Sequence, residues 1–419
     1  MNCVTLHLHI EAPDNFVLPN RRLRLRGWCF LPGAQLVGVR LVLNDRILPG
    51  RHSICRPDVR AAFPTAPDDY NGFELWAILA PGRHPAELQF QDARGEWHEA
   101  LKITLSVPRT WRPAWLPGGD PADLVEFQLG ALPSHTPHPV IPERFPRPSS
   151  DPLRWPKISV VTPSFNQRAY LAETLDSVLS QTGVDLTYVV QDGGSTDGSA
   201  ELLQTYAPRL ASCVSACDHG QAEAIALGFA RTTGGPDDLM AWLNSDDVYL
   251  PGALAFVADY FARHPEVDVV YGQRVLIDKQ SREIGRWFIP PHDEDLLRLN
   301  DYVPQEAMFW RRRVWNRVGG INTSFQFAMD WDLLLRFQAA GARIRRVPYF
   351  LACFRVHAAQ KTSAQMETLG QQEITKLRAS TQGRQMTDRE VGHHPRLLSY
   401  LRRSAWQEFL WRRLGIRGR

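Results

Sequence analysis

From Lys157 onward the sequence alternates between short apolar runs and longer segments with helical periodicity, and this alternation restricts the fold more than any other feature. The run "ISVVTPS" is typical of a strand buried on both faces of a parallel sheet. The segment "AYLAETLDSVLSQ" then places apolar residues three and four positions apart, which predicts a helix. Similar pairs recur as far as "VDVVYGQ", so we predict an open, mixed but mostly parallel α/β sheet with flanking helices.

The rest of the chain divides into three further regions. Residues 1–107 contain short alternating strands such as "RLRLRGWCF" and "FELWAIL", separated by turn residues, which predicts an all-β sandwich. About a dozen of the 31 prolines fall in residues 108–156, which predicts a stiff, extended linker. The α/β domain is then expected over residues 157–362, and a helical, basic C-terminal extension over residues 363–419.

Composition excludes several classes of protein. A formal net charge of +3 over 419 residues provides no general attraction for nucleic acid. No apolar stretch approaches the roughly 20 residues that span a bilayer, and the first residues lack the pattern of a signal peptide. The six cysteines form no CxxC pair, which favours reduced thiols over disulfides or zinc ligands. We therefore expect a cytoplasmic protein.

Polar segments follow four of the predicted strands, at the edge where ligands of such sheets bind. Turns and helix caps explain much of their composition, and Asn166 could simply cap the next helix. Asp192 needs no turn role, and its carboxylate could accept a hydrogen bond from a base or a ribose hydroxyl. The segments are "TPSFNQ" (residues 162–167), "QDGGSTDGS" (191–199), "CDHGQAEA" (217–224) and "NSDD" (244–247).

The adjacent carboxylates of Asp246 and Asp247 repel each other. Residues 244–247 could be a turn before a capped helix, but a divalent cation would remove the repulsion. Carboxylates together with substrate phosphates are the usual ligands of Mg²⁺ or Mn²⁺.

Two further segments carry candidate functional groups. Asp330 lies near the start of a predicted helix, on the face of Leu333, Leu334 and Phe337, and is either an N-cap or a working carboxylate. His357 follows a strand-like run and is either structural or a ligand. The residues alone leave both alternatives open.

In order, these segments resemble the inverting nucleotide-sugar glycosyltransferases of family 2, which have the fold called GT-A. The resemblance runs from about Lys157 to Thr362. It rests on the ordered set "TPSFN", "QDGGSTDGS", "DHGQAEA", "LNSDD", "PQEAMFWRR", "GGIN", "MDWDLLLR" and "FRVH". Asn244 departs from the aspartate that many relatives have at the first position of the acidic motif.

The resemblance implies a role for each matching residue. Asp330 would be the catalytic base, and Asp192 would contact the nucleotide base. The nucleotide sugar would contact Thr162, Pro163, Ser164, Asn166, Asp192, Asp218, Gln221, Asn244 and Asp246, and the metal ligands would be Asp246, Asp247 and His357. Because sugars stack on aromatic faces, we also expect Gln305, Trp310 and Trp331 to form the acceptor side.

The function expected from the resemblance is metal-dependent, inverting sugar transfer from a nucleoside diphosphate donor to a hydroxyl acceptor. Mn²⁺ or Mg²⁺ would be the cofactor, a UDP-sugar the donor, and a glycan or lipid-linked acceptor in surface polysaccharide or glycolipid assembly the partner. One alternative is a sugar nucleotidyltransferase, although "TPSFNQRAY" lacks the glycine-rich phosphate loop that it would need. The other alternative is a catalytically inactive glycan-binding protein.

The two ends of the chain leave alternatives open. The N-terminal sandwich could bind glycan, or it could space or dimerise the catalytic domain. The C-terminal segment carries seven arginines from Arg396 onward on an imperfectly amphipathic helix. It could contact the anionic inner surface of the membrane, or it could dock against the catalytic domain.

Overall fold

The structure is a computed structural model in which the chain forms two compact units, Met1–Asp123 and Leu124–Arg419. It describes residues 6–12, 16, 18, 22–43, 46–54, 56–67, 71–80, 82–107, 137–149, 151–357, 360 and 369–414. Most of the predicted linker, residues 108–136, lies outside the described residues.

The N-terminal unit contains two four-stranded antiparallel sheets, with strand orders β1-β2-β6-β5 and β4-β3-β7-β8. Alternate side chains of both sheets, such as Leu25 from one and Leu41 and Leu88 from the other, share one buried core. The predicted sandwich is therefore confirmed. Its elements are β1 (His7–Ala12), β2 (Arg22–Phe30), β3 (Leu36–Leu43), β4 (Arg46–Pro49), β5 (Arg51–Ile54), α1 (Pro57–Ala62), β6 (Gly72–Ile78), β7 (Gly82–Asp92) and β8 (Trp97–Val107).

The second unit is built on a ten-stranded sheet flanked by helices. Its strands are β9 (His138–Pro139), β10 (Ile158–Ser164), β11 (Leu186–Asp192), β12 (Ser212–Ser215), β13 (Leu239–Trp242), β14 (Val248–Tyr249), β15 (Val269–Ile277), β16 (Arg282–Trp287), β17 (Met308–Arg311) and β18 (Ile344–Arg355). Its helices are α2 (Arg168–Leu179), α3 (Ser199–Tyr206), α4 (Gln221–Ala230), α5 (Ala253–Arg263), α6 (Glu294–Leu297), α7 (Arg312–Val318), α8 (Met329–Ala339), α9 (Gln371–Gln382), α10 (Asp388–Gly392) and α11 (Pro395–Leu414).

The sheet is mixed, as predicted. Its main path has the order β12-β11-β10-β13-β17-β15-β16-β9, and β18 pairs with both β14 and β15. Strands β12, β11, β10 and β13 are mutually parallel, whereas β17 pairs antiparallel with both of its neighbours. The carboxyl ends of the parallel strands therefore lie at one edge, and the predicted polar segments begin there.

The helices bury the faces that their periodicity predicts. In α2 the side chains of Leu171, Leu175 and Val178 have no exposed surface. Burying an aliphatic side chain of this size contributes about 1.5–3 kcal/mol. This packing holds α2 against the sheet and so determines where the loop between β10 and α2 lies.

The last part of the predicted linker belongs to the second unit. His138 and Pro139 pair with β16 at the edge of the sheet. Ile141 N–H donates to Glu283 Oε2 at 3.1 Å, and Arg286 Nη2 donates to Ile141 O at 2.8 Å. The prolines of this segment predict an extended chain but do not indicate its partners. Proline is compatible with an edge strand because an outward-facing N–H there has no partner strand to bond.

The C-terminal extension is helical in its described part. Leu397, Tyr400 and Leu401 of α11 are buried, and Ser404 Oγ donates to Phe288 O. The Trp411 ring lies 5.4 Å from the ring of Phe288. One face of α11 thus docks on the rest of the second unit. None of the described helices is both long and apolar enough to cross a bilayer.

Candidate active site

The loops after β10 and β11 are joined by hydrogen bonds. Asn166 N–H donates to Ser195 Oγ at 2.7 Å, and Asn166 Oδ1 accepts from Thr196 N–H at 2.9 Å. Asp197 Oδ2 accepts from Arg168 N–H at 2.8 Å. Asn166 has a φ of 52°, a conformation that asparagine tolerates better than most residues. Asn166 therefore links the two loops and is not the cap of α2, which has no side-chain cap.

The Asp192 carboxylate accepts hydrogen bonds from residues of the loop after β11. Its Oδ2 accepts from Ser195 N–H at 2.9 Å, Gly194 N–H at 3.2 Å and Ser215 Oγ at 2.6 Å. Its Oδ1 accepts from Ser195 Oγ at 2.6 Å. The side chain is 0% exposed, so in this structure the carboxylate offers no surface to a nucleotide base. Here the carboxylate holds the loop, and its contact with a nucleotide base stays a prediction.

The three residues at the end of β10 differ in accessibility. Thr162 is fully buried with its Oγ1 at 2.9 Å from Tyr188 Oη, and Pro163 is also buried. Both lie in the sheet with buried side chains, and their place beside the nucleoside stays a prediction. The Oγ of Ser164 is buried and has no hydrogen-bond partner among the described residues. Because an unpaired buried hydroxyl costs free energy, Ser164 is the member of this group best suited to a ligand.

Phe165 and Asp218 approach each other over the backbone of Gly193. A Cβ at Gly193 would lie 3.1 Å from Asp218 Oδ2 and 3.3 Å from Phe165 Cδ2, so glycine permits this close approach. Asp218 Oδ1 also accepts from Gly220 N–H at 2.9 Å. Phe165 is 62% exposed. An aromatic ring exposed beside a carboxylate provides both a stacking surface and an acceptor.

A line of amide side chains crosses the edge of the sheet between α4 and β17. Gln221 Nε2 donates to Asn244 Oδ1 at 2.7 Å, and Asn244 Nδ2 donates to Gln305 Oε1 at 3.1 Å. Gln305 Nε2 in turn donates to Trp242 O at 2.7 Å. Asn244 thus acts as acceptor and donor at once. An aspartate there would face Gln305 Oε1 with a second acceptor, whereas the Asn244 amide donates to it.

Asp246 and His357 form a close pair at the end of the site. Asp246 Oδ2 lies 2.9 Å from His357 Nε2, and the Tyr170 ring lies 4.7 Å from the imidazole. The side chains are 14% and 5% exposed respectively. The two predicted ligands are therefore brought together, although 111 positions separate them in the chain.

Asp247 points away from this pair into the protein. Its Oδ1 accepts from Arg355 N–H at 3.0 Å, and Thr174 Oγ1 donates to its backbone oxygen at 2.7 Å. Burial raises the pKa of Asp247 well above its usual range, and the negative charges of Asp246 and Glu306 raise it further. In this structure the Asp247 carboxylate is buried and bonded to Arg355 and not to the Asp246–His357 pair, and its role as a metal ligand stays a prediction.

Asp246 and His357 fit a divalent cation as a two-ligand set. Two adjacent ligands at about 2.1 Å from an octahedral ion are about 3 Å apart, which matches this pair. Among the described residues, the three-ligand cluster that could hold a metal is instead Asp92, Glu96 and His98 in the sandwich. Asp92 there already accepts from Glu96 N–H at 3.0 Å in a hairpin turn. A metal at the candidate active site would need donor oxygens from a bound diphosphate.

Asp330 lies in the first turn of α8 and is half-buried, and its Oδ1 accepts from Trp331 N–H at 2.9 Å. A second carboxylate, that of Asp301, is close enough to Asp330 for their charges to interact. Burial raises the pKa of Asp301 well above its usual range, and the negative charge of Asp330 adds to the effect.

Glu306 and Arg274 form a buried ion pair behind these acids. Arg274 Nη2 donates to Glu306 Oε2 at 2.8 Å, and Arg274 Nε lies 2.7 Å from Glu306 Oε1. Burial raises the pKa of Glu306, although the Arg274 charge opposes this shift. The guanidinium also lies 4.5 Å from the centre of the Phe354 ring and 5.0 Å from that of Trp287. Arg274 supplies positive charge to a strongly acidic region.

The predicted acceptor wall is not formed by the two tryptophans. Trp310 is 0% exposed and packs against Trp242 and Trp315. Trp331 is 1% exposed and its Nε1 donates to Leu297 O at 2.7 Å. Both rings are core residues that have no face for a sugar, so this part of the prediction is wrong. Gln305 is buried as well and belongs to the amide line described above.

Sequence reasoning missed four residues of this site. Phe165 could have been noticed as an aromatic residue inside a polar loop, and Glu306 lies within the quoted motif "PQEAMFWRR". Asp301 is a single acid in an otherwise ordinary loop, and Arg274 lies in a strand. The sequence contains no local signal for Asp301 or Arg274.

Comparison with known proteins identifies the family. Residues 159–321 match the sequence profile of Glycosyl transferase family 2. A PGL/p-HBAD biosynthesis glycosyltransferase from Mycobacterium tuberculosis (strain H37Rv) is 30% identical over 195 residues, which cover 46% of this chain and 73% of the relative. The chain belongs to glycosyl transferase family 2, and it is a glycosyltransferase.

Two other relatives match over different extents. An uncharacterized glycosyltransferase from Nostoc sp. (strain PCC 7120) is 28% identical over 283 residues, covering 61% of this chain and 84% of the relative. The O-antigen biosynthesis protein RfbC from Myxococcus xanthus is 33% identical over 199 residues, covering 46% of this chain and 15% of that protein. The family assignment excludes the sugar nucleotidyltransferase alternative.

Proposed function

We propose that this glycosyltransferase transfers a sugar from a nucleoside diphosphate donor to a hydroxyl acceptor, with inversion at the anomeric carbon and with a divalent cation. The observation that carries the proposal is the Asp246–His357 pair at 2.9 Å. It lies at the carboxyl edge of a parallel sheet, where nucleotides bind in open α/β folds. When bound there, Mg²⁺ or Mn²⁺ would act as a Lewis acid that neutralises charge on the leaving diphosphate.

The nucleoside end of the donor would lie over the loops after β10 and β11. Phe165 offers an exposed ring for stacking, and Asp218 offers an acceptor beside it. The buried Ser164 hydroxyl, unpaired among the described residues, would gain a partner from the ligand. A uridine base is the preferred expectation from the sequence, and the calorimetric experiment below tests it against guanosine and thymidine.

Asp330 is the proposed base. Its carboxylate would take the proton of the acceptor hydroxyl as the hydroxyl oxygen bonds to the anomeric carbon. At the same time the bond from that carbon to the diphosphate oxygen breaks, and the nucleoside diphosphate leaves with the electron pair. A carboxylate at this place can act as a general base if the acceptor hydroxyl binds within hydrogen-bond reach of it.

The acceptor is proposed to be a glycolipid or a surface polysaccharide. The M. tuberculosis relative is named for PGL/p-HBAD biosynthesis and the M. xanthus relative for O-antigen biosynthesis. Both names support an acceptor of the cell envelope.

Calorimetric titration of UDP, GDP and dTDP, each with and without Mn²⁺, tests the donor site. We expect one nucleotide to bind in a Mn²⁺-dependent manner, and Asp246→Asn to weaken that binding at least about 10–100-fold because it removes a cation ligand. Asp185→Asn is the matched control, since Asp185 lies at the opposite end of β11 and is 61% exposed. If none of the three nucleotides binds to the folded protein in Mn²⁺, the donor proposal is wrong.

We also propose that the exposed face of α11 contacts an anionic membrane. Arg402 is exposed and Trp406 is 43% exposed, on the side of α11 away from the buried Leu397, Leu401 and Ser404. Arg403 is also exposed, but its Nη2 lies 3.7 Å from Asp293 Oδ2. Basic residues near an anionic surface contribute about 1 kcal/mol each. An aromatic residue at the same level suits the headgroup region.

Sedimentation with vesicles of phosphatidylglycerol and phosphatidylcholine measures this contact. Arg402→Gln is expected to lower the partition coefficient about fivefold, whereas Arg154→Gln, which removes one exposed cation elsewhere in the unit, is expected to change it much less. Equal partitioning of Arg402→Gln and the wild type would show that α11 serves only to dock on the rest of the unit.

A further inference from the structure

Glu373, in the C-terminal extension, holds the segment that leads into the helix of Asp330. Its side chain is buried. Oε1 accepts from Gln326 N–H at 2.8 Å, and Oε2 accepts from Phe327 N–H and Ala328 N–H, both at 2.8 Å. One carboxylate thus receives three consecutive backbone amides immediately before α8.

The position of this carboxylate corresponds to a helix cap supplied from a distant part of the chain. Helix α8 starts at Met329 and its N-cap residue, Ala328, has no side-chain cap. Negative charge at a helix N-terminus and acceptors for its unpaired amides are both stabilising. Asp330 is the second residue of the helix, so the orientation of this first turn determines where its carboxylate points.

The same helix, α9, also holds the segment before Asp301. Arg378 is buried and its Nε donates to Leu299 O at 2.9 Å, while Gln382 Nε2 donates to Arg298 O at 3.1 Å. Helix α9 is therefore bonded to both segments that carry the paired acids of the site. A shift of α9 would move the two acids together.

We propose that Glu373 is a positioning residue that orients Asp330 for proton abstraction, so that the C-terminal extension is part of the catalytic apparatus. The inference rests on the proposed role of Asp330. Glu373 itself bonds only to protein amides in this structure and is not assigned contact with the substrate. Its loss should therefore act on kcat and leave donor binding in place.

Glu373→Gln tests this with little change of shape. Three amides converge on two carboxylate oxygens, and a glutamine presents one oxygen and one NH₂ group. At least one amide would therefore face a donor, and the charge is lost. We expect kcat to fall about 10²-fold, the effect of a misplaced catalytic group, with the nucleotide Kd unchanged.

The measurement is nucleoside diphosphate release from UDP-glucose, UDP-N-acetylglucosamine, GDP-mannose or dTDP-glucose, with Mn²⁺ and envelope glycolipid extract as acceptor. The nucleotide Kd is measured in parallel by calorimetry. The matched control is Glu390→Gln. Glu390 lies in the same extension and accepts from Thr387 N–H at 2.8 Å, but it is half-exposed and holds no segment of the site. This control is expected to keep kcat.

A double-mutant cycle separates the inference from the proposed function. If Asp330→Asn alone keeps full activity, the proposed role of Asp330 fails. If Asp330→Asn lowers release about 10²–10⁴-fold while Glu373→Gln keeps wild-type kcat, the positioning inference is overturned and the role of Asp330 stands. A loss in Glu373→Gln that is not repeated in the Asp330→Asn background supports coupling between the two residues.

Glu373→Asp carries the test if Glu373→Gln does not fold. It keeps the charge and both oxygens but withdraws them by one methylene, so the amides are held less closely. A lowered kcat with unchanged nucleotide Kd supports the inference. Wild-type kcat, or a rise of nucleotide Kd in proportion to the loss of kcat, overturns it.

Discussion

Asp330→Asn is expected to lower kcat for sugar transfer about 10²–10⁴-fold while leaving Mn²⁺-dependent nucleotide binding unchanged. Asparagine has the shape of aspartate, and its amide oxygen can still accept from Trp331 N–H as Asp330 Oδ1 does. It has no carboxylate to take a proton from the acceptor hydroxyl. The loss should therefore appear in kcat rather than in the affinity for the donor.

Asp332→Asn is the control for this prediction, because Asp332 lies in the same helical turn. Asp332 is paired with Arg336 at 2.7 Å, so its replacement should lower the melting temperature without a comparable loss of kcat. Transfer by Asp330→Asn within about threefold of wild type would show that another group accepts the proton. If wild-type protein retains glycan but transfers no sugar from any of the donors, a binding role is indicated instead.

The strands and helices around the site could be predicted because the spacing of apolar residues along the chain indicates which faces are buried. The run "ISVVTPS" corresponds residue for residue to the strand Ile158–Ser164, all of which is buried. The edge strand His138–Pro139 could not be predicted, because two residues have no periodicity and their partner strand lies more than 140 positions away. Local pattern predicts elements, while pairing depends on the assembled sheet.

The loops that form the site could be predicted from the sequence. The direction in which each of their side chains points could not. The sequence gives the same aromatic signal for Trp310, Trp331 and Phe165, yet only Phe165 is exposed. Asp246 and Asp247 are adjacent, yet one pairs with His357 and the other is buried against Arg355. Which way a side chain points at the end of a strand is decided by packing from other elements.

Hydrogen bonds between residues distant in sequence could not be predicted for the same reason. Glu373 lies 45–47 positions from the amides that it binds, and Asn244 lies 61 positions from Gln305. The sequence shows only a glutamate in a polar helix and an asparagine in a turn. Their roles exist because the tertiary fold brings donors to them.

Arg355 is the residue whose loss should disturb the acidic turn most. Its Nε donates to Asp246 O at 2.8 Å, its Nη2 donates to Glu173 Oε2 at 2.6 Å, and its Nη1 donates to Ser281 Oγ at 2.8 Å. The guanidinium also lies 4.8 Å from the centre of the Tyr170 ring. This side chain is fully buried and directs charge and hydrogen bonds to three separate segments.

Arg355→Met is expected to destabilise the catalytic unit by about 3 kcal/mol, the lower end of the cost of removing one partner from a buried ion pair. The lower end applies because Glu173 is 46% exposed and can be rehydrated. For a unit of this size the loss corresponds to roughly 5–10 °C in melting temperature. Because the Asp246 backbone loses its anchor, Mn²⁺-dependent nucleotide binding should weaken in the protein that remains folded.

Scanning calorimetry with and without nucleotide and Mn²⁺ measures both effects. Arg282→Met is the matched control. Arg282 pairs with Asp278 in the β15–β16 hairpin, which Arg355 contacts through Ser281, but Arg282 is 50% exposed. Exposed ion pairs contribute about 0–1 kcal/mol, so this control should shift the melting temperature by no more than about 3 °C. If Arg355→Met melts and binds nucleotide like the control, the acidic turn is held by its own backbone and by Thr174 Oγ1, which donates to Asp247 O, and Arg355 does not position the metal site.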